Sequence, residues 1–247
     1  MKALVLTCDH YHALTEHMIR AYERLWPNHP FTYYVPYQEQ QALRNTGITS
    51  PTQMIQTPAD IRSTVLQLLS GIEDDEWIYW CIDDKYPIRL NIKALENIIK
   101  YLPISRPDEV SGIAFIRCRR WLKKQYILPE SIRLTRRSIV QPYGLECMRR
   151  RDYSHIWIHQ FLRASVIRDL FLSLPETIPQ AKTLDSLKNQ LTLPEQQKLF
   201  VTRFSNAVFG ESTTEGKLTE NLIRSIKKQG YPIPKNFPTS TKSIVIK

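Results

Sequence analysis

The sequence predicts an α/β protein with a mostly parallel central sheet, helices on both of its faces, and a mixed, helix-rich C-terminal half. Apolar β-type runs alternate with segments of helical spacing through the first half of the chain, which is the pattern of βα units. The run Trp77 to Ile82 is apolar without alternation, as in a strand covered on both faces. Only 7 Gly accompany 16 Pro, and neither G-x-G-x-x-G nor G-x-x-x-x-G-K-[ST] occurs, which argues against nucleotide folds built on Gly-rich phosphate loops.

Taken in order, Ala3 to Thr7 reads as the first strand and Cys8 to His12 as the polar loop after it. His12 to Leu25 carries Leu14, Met18, Ala21, Tyr22 and Leu25 at helical spacing, and Pro27 and Pro30 close it. Phe31 to Val35 is a second strand by its aromatic and β-branched content. Pro58 to Leu69 is helical, with Ile61, Val65, Leu68 and Leu69 on one face, and leads through an acidic turn into the strand at Trp77. Asn91 to Leu102 is a helix and Ser111 to Arg117 a strand. Beyond it, Ser131 to Val140 alternates like a half-exposed antiparallel strand, while Ile156 to Leu174, Thr192 to Phe209 and Leu218 to Gln229 read as helical. The strands near Ala3, Phe31, Trp77 and Ile113 are expected to be neighbours.

At 247 residues the chain can bury a sizeable core, and one elaborated α/β domain is expected: residues 1–120 as a nucleotide-binding half, 121–230 as an acceptor-side half, and 231–247 as a Pro-rich tail wrapping the surface or partly disordered. No run approaches membrane-spanning length and Met1 to Thr7 is too short for a signal-peptide core, so a cytoplasmic protein is expected. The four cysteines lie far apart without C-x-x-C or Cys/His clustering, which fits reduced thiols. The net charge is +10, with eleven basic residues between Arg117 and Arg151 opposed by Glu130 and Glu146. Such a stretch attracts polyanions, whether nucleotide phosphates, the headgroups of an anionic membrane or nucleic acid. Trp121, Tyr126 and Tyr143 suit base stacking, but no nucleic-acid motif is present, so nucleic acid ranks below the other partners.

The chemistry concentrates at Asp83 and Asp84, where the apolar strand ends in two adjacent carboxylates. Ligand sites of open α/β sheets lie beyond the carboxyl ends of the strands. Two like charges this close resist burial without compensation, and a divalent cation is the economical partner. The competing structural reading has the pair capping the helix from Asn91 or opening a turn towards Pro87.

Together, the N-terminal strand with its polar loop, the βα alternation and the acidic pair resemble the GT-A class of nucleotide-sugar glycosyltransferases. Asp83-Asp84-Lys85 stands where that class has Asp, any residue, Asp. The resemblance implies a nucleotide-sugar donor, a saccharide or lipid-linked acceptor, and Mn2+ or Mg2+ neutralising the departing diphosphate. It implies Asp83 as ribose ligand or second metal ligand and Asp84 as metal ligand, with partial replacement of the cation by Lys85 as the alternative. A non-catalytic scaffold of the same fold also fits the altered motif. Thr7, Cys8 and Asp9 would line the nucleotide pocket, and Arg62 would reach the diphosphate or pair with Asp83. Glu211 is the favoured base for the acceptor hydroxyl over Glu215, which reads as a helix-terminus charge, and His159 is a candidate third metal ligand or acceptor contact.

Overall fold

A computed structural model describes residues 1–39, 47–116, 131–133, 146–150, 153–178, 180–188, 190–191, 193–202 and 204–246. Fourteen strands and six helices are labelled here in chain order. They are β1 (Lys2–Leu6), α1 (His12–Leu25), β2 (Thr32–Tyr37), β3 (Thr52–Gln56), α2 (Ile61–Leu68), β4 (Trp77–Ile82), β5 (Lys85–Leu90), α3 (Ile92–Tyr101), β6 (Gly112–Ala114), β7 (Ser131–Arg133) and β8 (Glu146–Arg150). There follow β9 (Gln160–Arg163), α4 (Ala164–Leu172), α5 (Ala181–Lys188), β10 (Leu199–Thr202), β11 (Ala207–Glu211), β12 (Thr213–Thr214), β13 (Lys217–Leu218), α6 (Glu220–Lys228) and β14 (Val245–Ile246).

Nine of these strands form one sheet in the order β3-β2-β1-β4-β9-β6-β10-β8-β7. Strands β3, β2, β1 and β4 are mutually parallel, and β6 and β10 run parallel to each other. The expected mostly parallel α/β fold is therefore the observed one. Successive side chains of the central strands serve opposite faces. Ala3 and Val5 join α1 in one core with Leu14, Met18, Tyr22, Phe31 and Tyr79, whereas Leu4, Ile78 and Trp80 join α2 and α4 in the other with Val65, Leu68, Ile167 and Phe171. This two-sided burial explains why β1 and β4 read as unbroken apolar runs.

The helix expected from His12 to Leu25 has those bounds in the structure. Asn91 accepts a hydrogen bond from the Ala94 amide at the start of α3, so it caps that helix and the Asp pair does not. Two expectations need correction. The strands at Trp77 and Ile113 are not neighbours, because antiparallel β9 lies between β4 and β6, with Ile78 opposite Leu162 and Ile113 opposite Phe161. The segment expected to be helical from Ile156 holds β9 before α4, and the one expected from Thr192 to Phe209 holds β10 and the start of β11. In these segments the pairing is supplied by strands distant in sequence, β4 and β6 for β9 and β6 and β8 for β10, which local spacing does not report.

A second, smaller sheet, β14-β11-β5, flanks the first. Strand β5 follows β4 after two residues, so the chain passes from one sheet to the other at Asp83 and Asp84. The C-terminal tail is ordered against this unit: β14 pairs antiparallel with β11, and the Leu218 and Glu220 amides donate to the Pro238 and Lys242 carbonyls. Most of the basic stretch from Arg117 to Arg151 lies outside the described residues. Within it Arg150 is buried and donates to Gln160 Oε1 at 3.1 Å, so it is not part of an exposed basic face.

Candidate functional site

The parallel pairing of β1 with β4 places Leu6 opposite Ile82, so the residues that follow each strand emerge at the same carboxyl edge. The Asp83 amide donates to the Leu6 carbonyl at 3.3 Å, which carries the pairing one residue further. Asp9 and Asp83 therefore lie at one edge, as the βα pattern predicts.

Asp83 is buried within hydrogen-bonding reach of the Thr7 hydroxyl. Burial, then the neighbouring Asp84 charge, push its pKa up to about 8, so that carboxyl is largely protonated at neutral pH. Thr7 is itself fixed by the Thr15 hydroxyl, which donates to it at 3.0 Å from α1. The half-buried Cys8 and Tyr11 both feel the Asp83 charge, and burial followed by that charge raises both of their pKa values. Tyr11 is a member of the cluster that the sequence did not single out. Its only signal was its place in the loop after β1.

Asp9 is at the expected edge but its carboxylate is engaged: Oδ1 and Oδ2 accept from the Gln38 and Glu39 amides, each at 2.8 Å. The Asp9 amide donates in return to Gln38 Oε1 at 3.1 Å, while the Gln38 amide group reaches Thr57 at 3.2 Å. Asp9 thus ties the loop after β1 to the ends of β2 and β3.

Lys85 opens β5 directly opposite Glu211 on β11. Cross-strand partners project to the same side. Its ammonium lies 2.9 Å from Asp84 Oδ1, 2.9 Å from Asp84 Oδ2 and 3.3 Å from Glu211 Oε1. The Lys85 side chain is 7% exposed, against 30% for Asp84 and 21% for Glu211, so the cation sits beneath two carboxylates that reach solvent. Burial works against its charge, yet Asp84 and Glu211 outweigh that and raise its pKa. The Ser212 amide donates to the Asp84 carbonyl at 2.6 Å and locks the turn between the sheets onto β11.

These side chains do not fit the expected two-carboxylate cation site. Both oxygens of Asp84 and one of Glu211 already face an ammonium, and Asp83 is largely uncharged near neutral pH. Among the described residues no group of three or more His, Cys, Asp and Glu is placed to hold a metal ion. His159 is corrected from ligand to core residue. Its Nε2 lies 2.9 Å from the Ile82 carbonyl, which only accepts, so Nδ1 accepts from the Tyr22 hydroxyl at 2.7 Å and Tyr22 in turn accepts from Tyr79 at 2.6 Å. Both ring nitrogens are committed, and burial holds the imidazole neutral with a pKa of about 3.

Arg62 is also redirected. Its Nε donates to the Phe171 carbonyl at 2.8 Å, which joins α2 to the end of α4 and not to Asp83. Glu215 sits at positive φ in the turn between β12 and β13, 3.5 Å from Lys242, and is mostly exposed. From the tail, Phe237 packs on His10 and Tyr11 with ring centroids 4.6 and 5.2 Å away, and Asn236 donates to the His10 carbonyl at 3.1 Å. Sequence reading assigned the tail no part in the site, because the contact spans 226 residues.

No protein-family model and no curated protein matches the chain. Several solved structures are similar to it in fold. The 2-C-methyl-D-erythritol 4-phosphate cytidylyltransferase IspD of Francisella tularensis is 10% identical, with a TM-score of 0.41 over 92% of this chain and 98% of that one. The galactosyltransferase LgtC, solved with donor and acceptor sugar analogues, is 10% identical, with a TM-score of 0.44 over 99% of this chain and 86% of that one. Residues 1–349 of S. aureus TarS are 11% identical, with a TM-score of 0.40 over 81% of this chain and 59% of that one. The likeness is one of backbone layout.

Proposed function

We propose that the chain is a glycosyltransferase that moves a sugar from a nucleotide-sugar donor to a saccharide or lipid-linked acceptor. The observation that carries this reading is the convergence, at one carboxyl edge, of the Thr7-Cys8-Asp9 loop, the Asp83-Asp84 turn and the Lys85–Glu211 pair from the second sheet. Binding groups and a candidate base thus meet where an open α/β sheet takes its ligand.

The loop after β1, braced by Asp9, forms one wall for the nucleotide. Asp83, protonated near neutral pH, is a hydrogen-bond donor to a ribose or phosphate oxygen, a role closed to an ionised carboxylate. In a direct displacement the acceptor oxygen bonds to the anomeric carbon while the bond from that carbon to the diphosphate oxygen breaks, its electron pair leaving with the diphosphate. Glu211, with its carboxylate partly open to solvent and steadied by Lys85, takes the acceptor proton. No step is assigned to Mn2+ or Mg2+, since the carboxylates that would hold either ion face Lys85.

A thermal-shift panel of UDP-, GDP-, CMP- and dTDP-sugars, each with and without Mn2+, tests the reading. A bound donor stabilises the native state by mass action, so one nucleotide class should raise Tm. That donor should then release its nucleotide when candidate acceptors are added. If no nucleotide-sugar shifts Tm under either condition, the glycosyltransferase reading fails.

A further inference from the structure

We infer that Lys85 is a built-in cation: its ammonium holds the place between Asp84 and Glu211 that a carboxylate-bound divalent ion would take, so that a diphosphate-bearing ligand binds without added metal. This rests on the donor-binding reading above and names the charge chemistry of the same site.

The geometry carries it. Lys85 Nζ is equidistant, at 2.9 Å, from the two oxygens of Asp84, and Glu211 Oε1 lies 3.3 Å from it. A magnesium ion held by those carboxylates needs oxygens at about 2.0–2.1 Å, which leaves no room for an ammonium sharing them. One of the two cations must go. Lys85 is poorly able to yield. It is the first residue of β5 and paired in register with Glu211, its side chain is 7% exposed, and swinging it away would leave a buried ammonium without partners. Arg62, the other cation expected at the diphosphate, is turned to the Phe171 carbonyl. Lys85 carries half the charge of a divalent ion. It therefore reduces the negative charge of the two carboxylates without cancelling it, and donor binding is expected to be salt-sensitive and indifferent to metal.

The same geometry yields a converse. Removing the ammonium leaves Asp84 and Glu211 facing each other with no cation between them, and a divalent ion is the natural replacement. Lys85→Met keeps a long unbranched side chain and deletes the charge.

Calorimetric titration of inorganic pyrophosphate, and of the stabilising donor from the panel, decides the matter in two buffers, one with EDTA and one with Mn2+. For the unmodified chain the affinities in the two buffers should agree within about threefold, whereas removal in Lys85→Met of the positive charge that offsets Asp84 and Glu211 should weaken binding in EDTA by about tenfold or more. Mn2+ should restore binding to the variant. Mn2+ titrated alone should bind Lys85→Met more tightly than the unmodified chain. Donor binding by the unmodified chain that needs Mn2+ would overturn the built-in cation and leave the glycosyltransferase reading standing. Undiminished binding by a folded Lys85→Met in EDTA would also overturn it. Absence of binding by pyrophosphate and by every donor, in both buffers, would remove both inferences together. The comparison of buffers on the unmodified chain requires no variant to fold.

Discussion

Asp83 couples the site to pH through a proton that the folded chain keeps and the unfolded chain gives up. Its pKa rises from an ordinary 3.8 to about 8 because it is buried, beside Asp84. Between those two values the native state binds the extra proton, so this residue's contribution is fully present below about pH 4 and is lost as pH rises through 8. Denaturant unfolding at pH 5, 7 and 9 should show stability falling across the range, and Asp83→Asn should flatten that slope. Parallel pH profiles for the two proteins would mean that Asp83 is ionised throughout. Much of this was legible in the sequence, where two adjacent carboxylates closing an apolar strand already announce an electrostatic conflict. How the conflict is resolved was not. Which acid keeps a proton and which takes Lys85 depends on Thr7, just after β1 and 76 residues before Asp83, and on Glu211 in β11, 127 residues after Asp84.

Elements whose apolar spacing decides their structure were readable, and elements made by a distant partner were not. Helix α1 fell within its expected bounds because its buried stripe is self-contained in fourteen residues. Strands β9 and β10 have four residues each, all buried, and such short runs show no period that separates strand from helix. The tail lies against the fold, the first of its two expected alternatives, and what spacing does not report is how it is held. Prolines and weak periodicity suggest a segment that wraps the surface or is partly disordered; in the structure Phe237 is 7% exposed and β14 completes the small sheet. Phe237→Ala should cost about 3 kcal/mol in chemical denaturation, as expected for a buried aromatic side chain. It should also loosen the loop that bears His10 and Tyr11, and so weaken donor binding. A variant of unchanged stability would show that the tail is held by its backbone pairing alone.

At the scale of the whole molecule, the +10 charge favours contact with anionic surfaces, and no described helix is long and apolar enough to cross a membrane. Adsorption to vesicles containing phosphatidylserine should be measurable at low salt and fall towards physiological ionic strength, where screening acts within about 8 Å. Vesicles of neutral lipid are the control. Equal binding to both would exclude charge as the cause. Arg150 is unsuitable for charge reversal in such a test because it is buried against Gln160.

The antiparallel strand wedged between β4 and β6 has a consequence for the nascent chain. Ile82 is linked to His159 across 77 residues, and β9 pairs with Trp77 to Trp80 along the edge of β4 that β1 does not occupy. At about 5–20 residues per second, a ribosome needs roughly 4–15 s to deliver that cover after β4 has left it. Throughout that interval the strand that ends in Asp83 and Asp84 has a bare hydrogen-bonding margin, which is a template for mispairing. Truncated translation products ending near residue 120 would keep that margin permanently. They should be substrates for chaperones and proteases, and not small working versions of the protein.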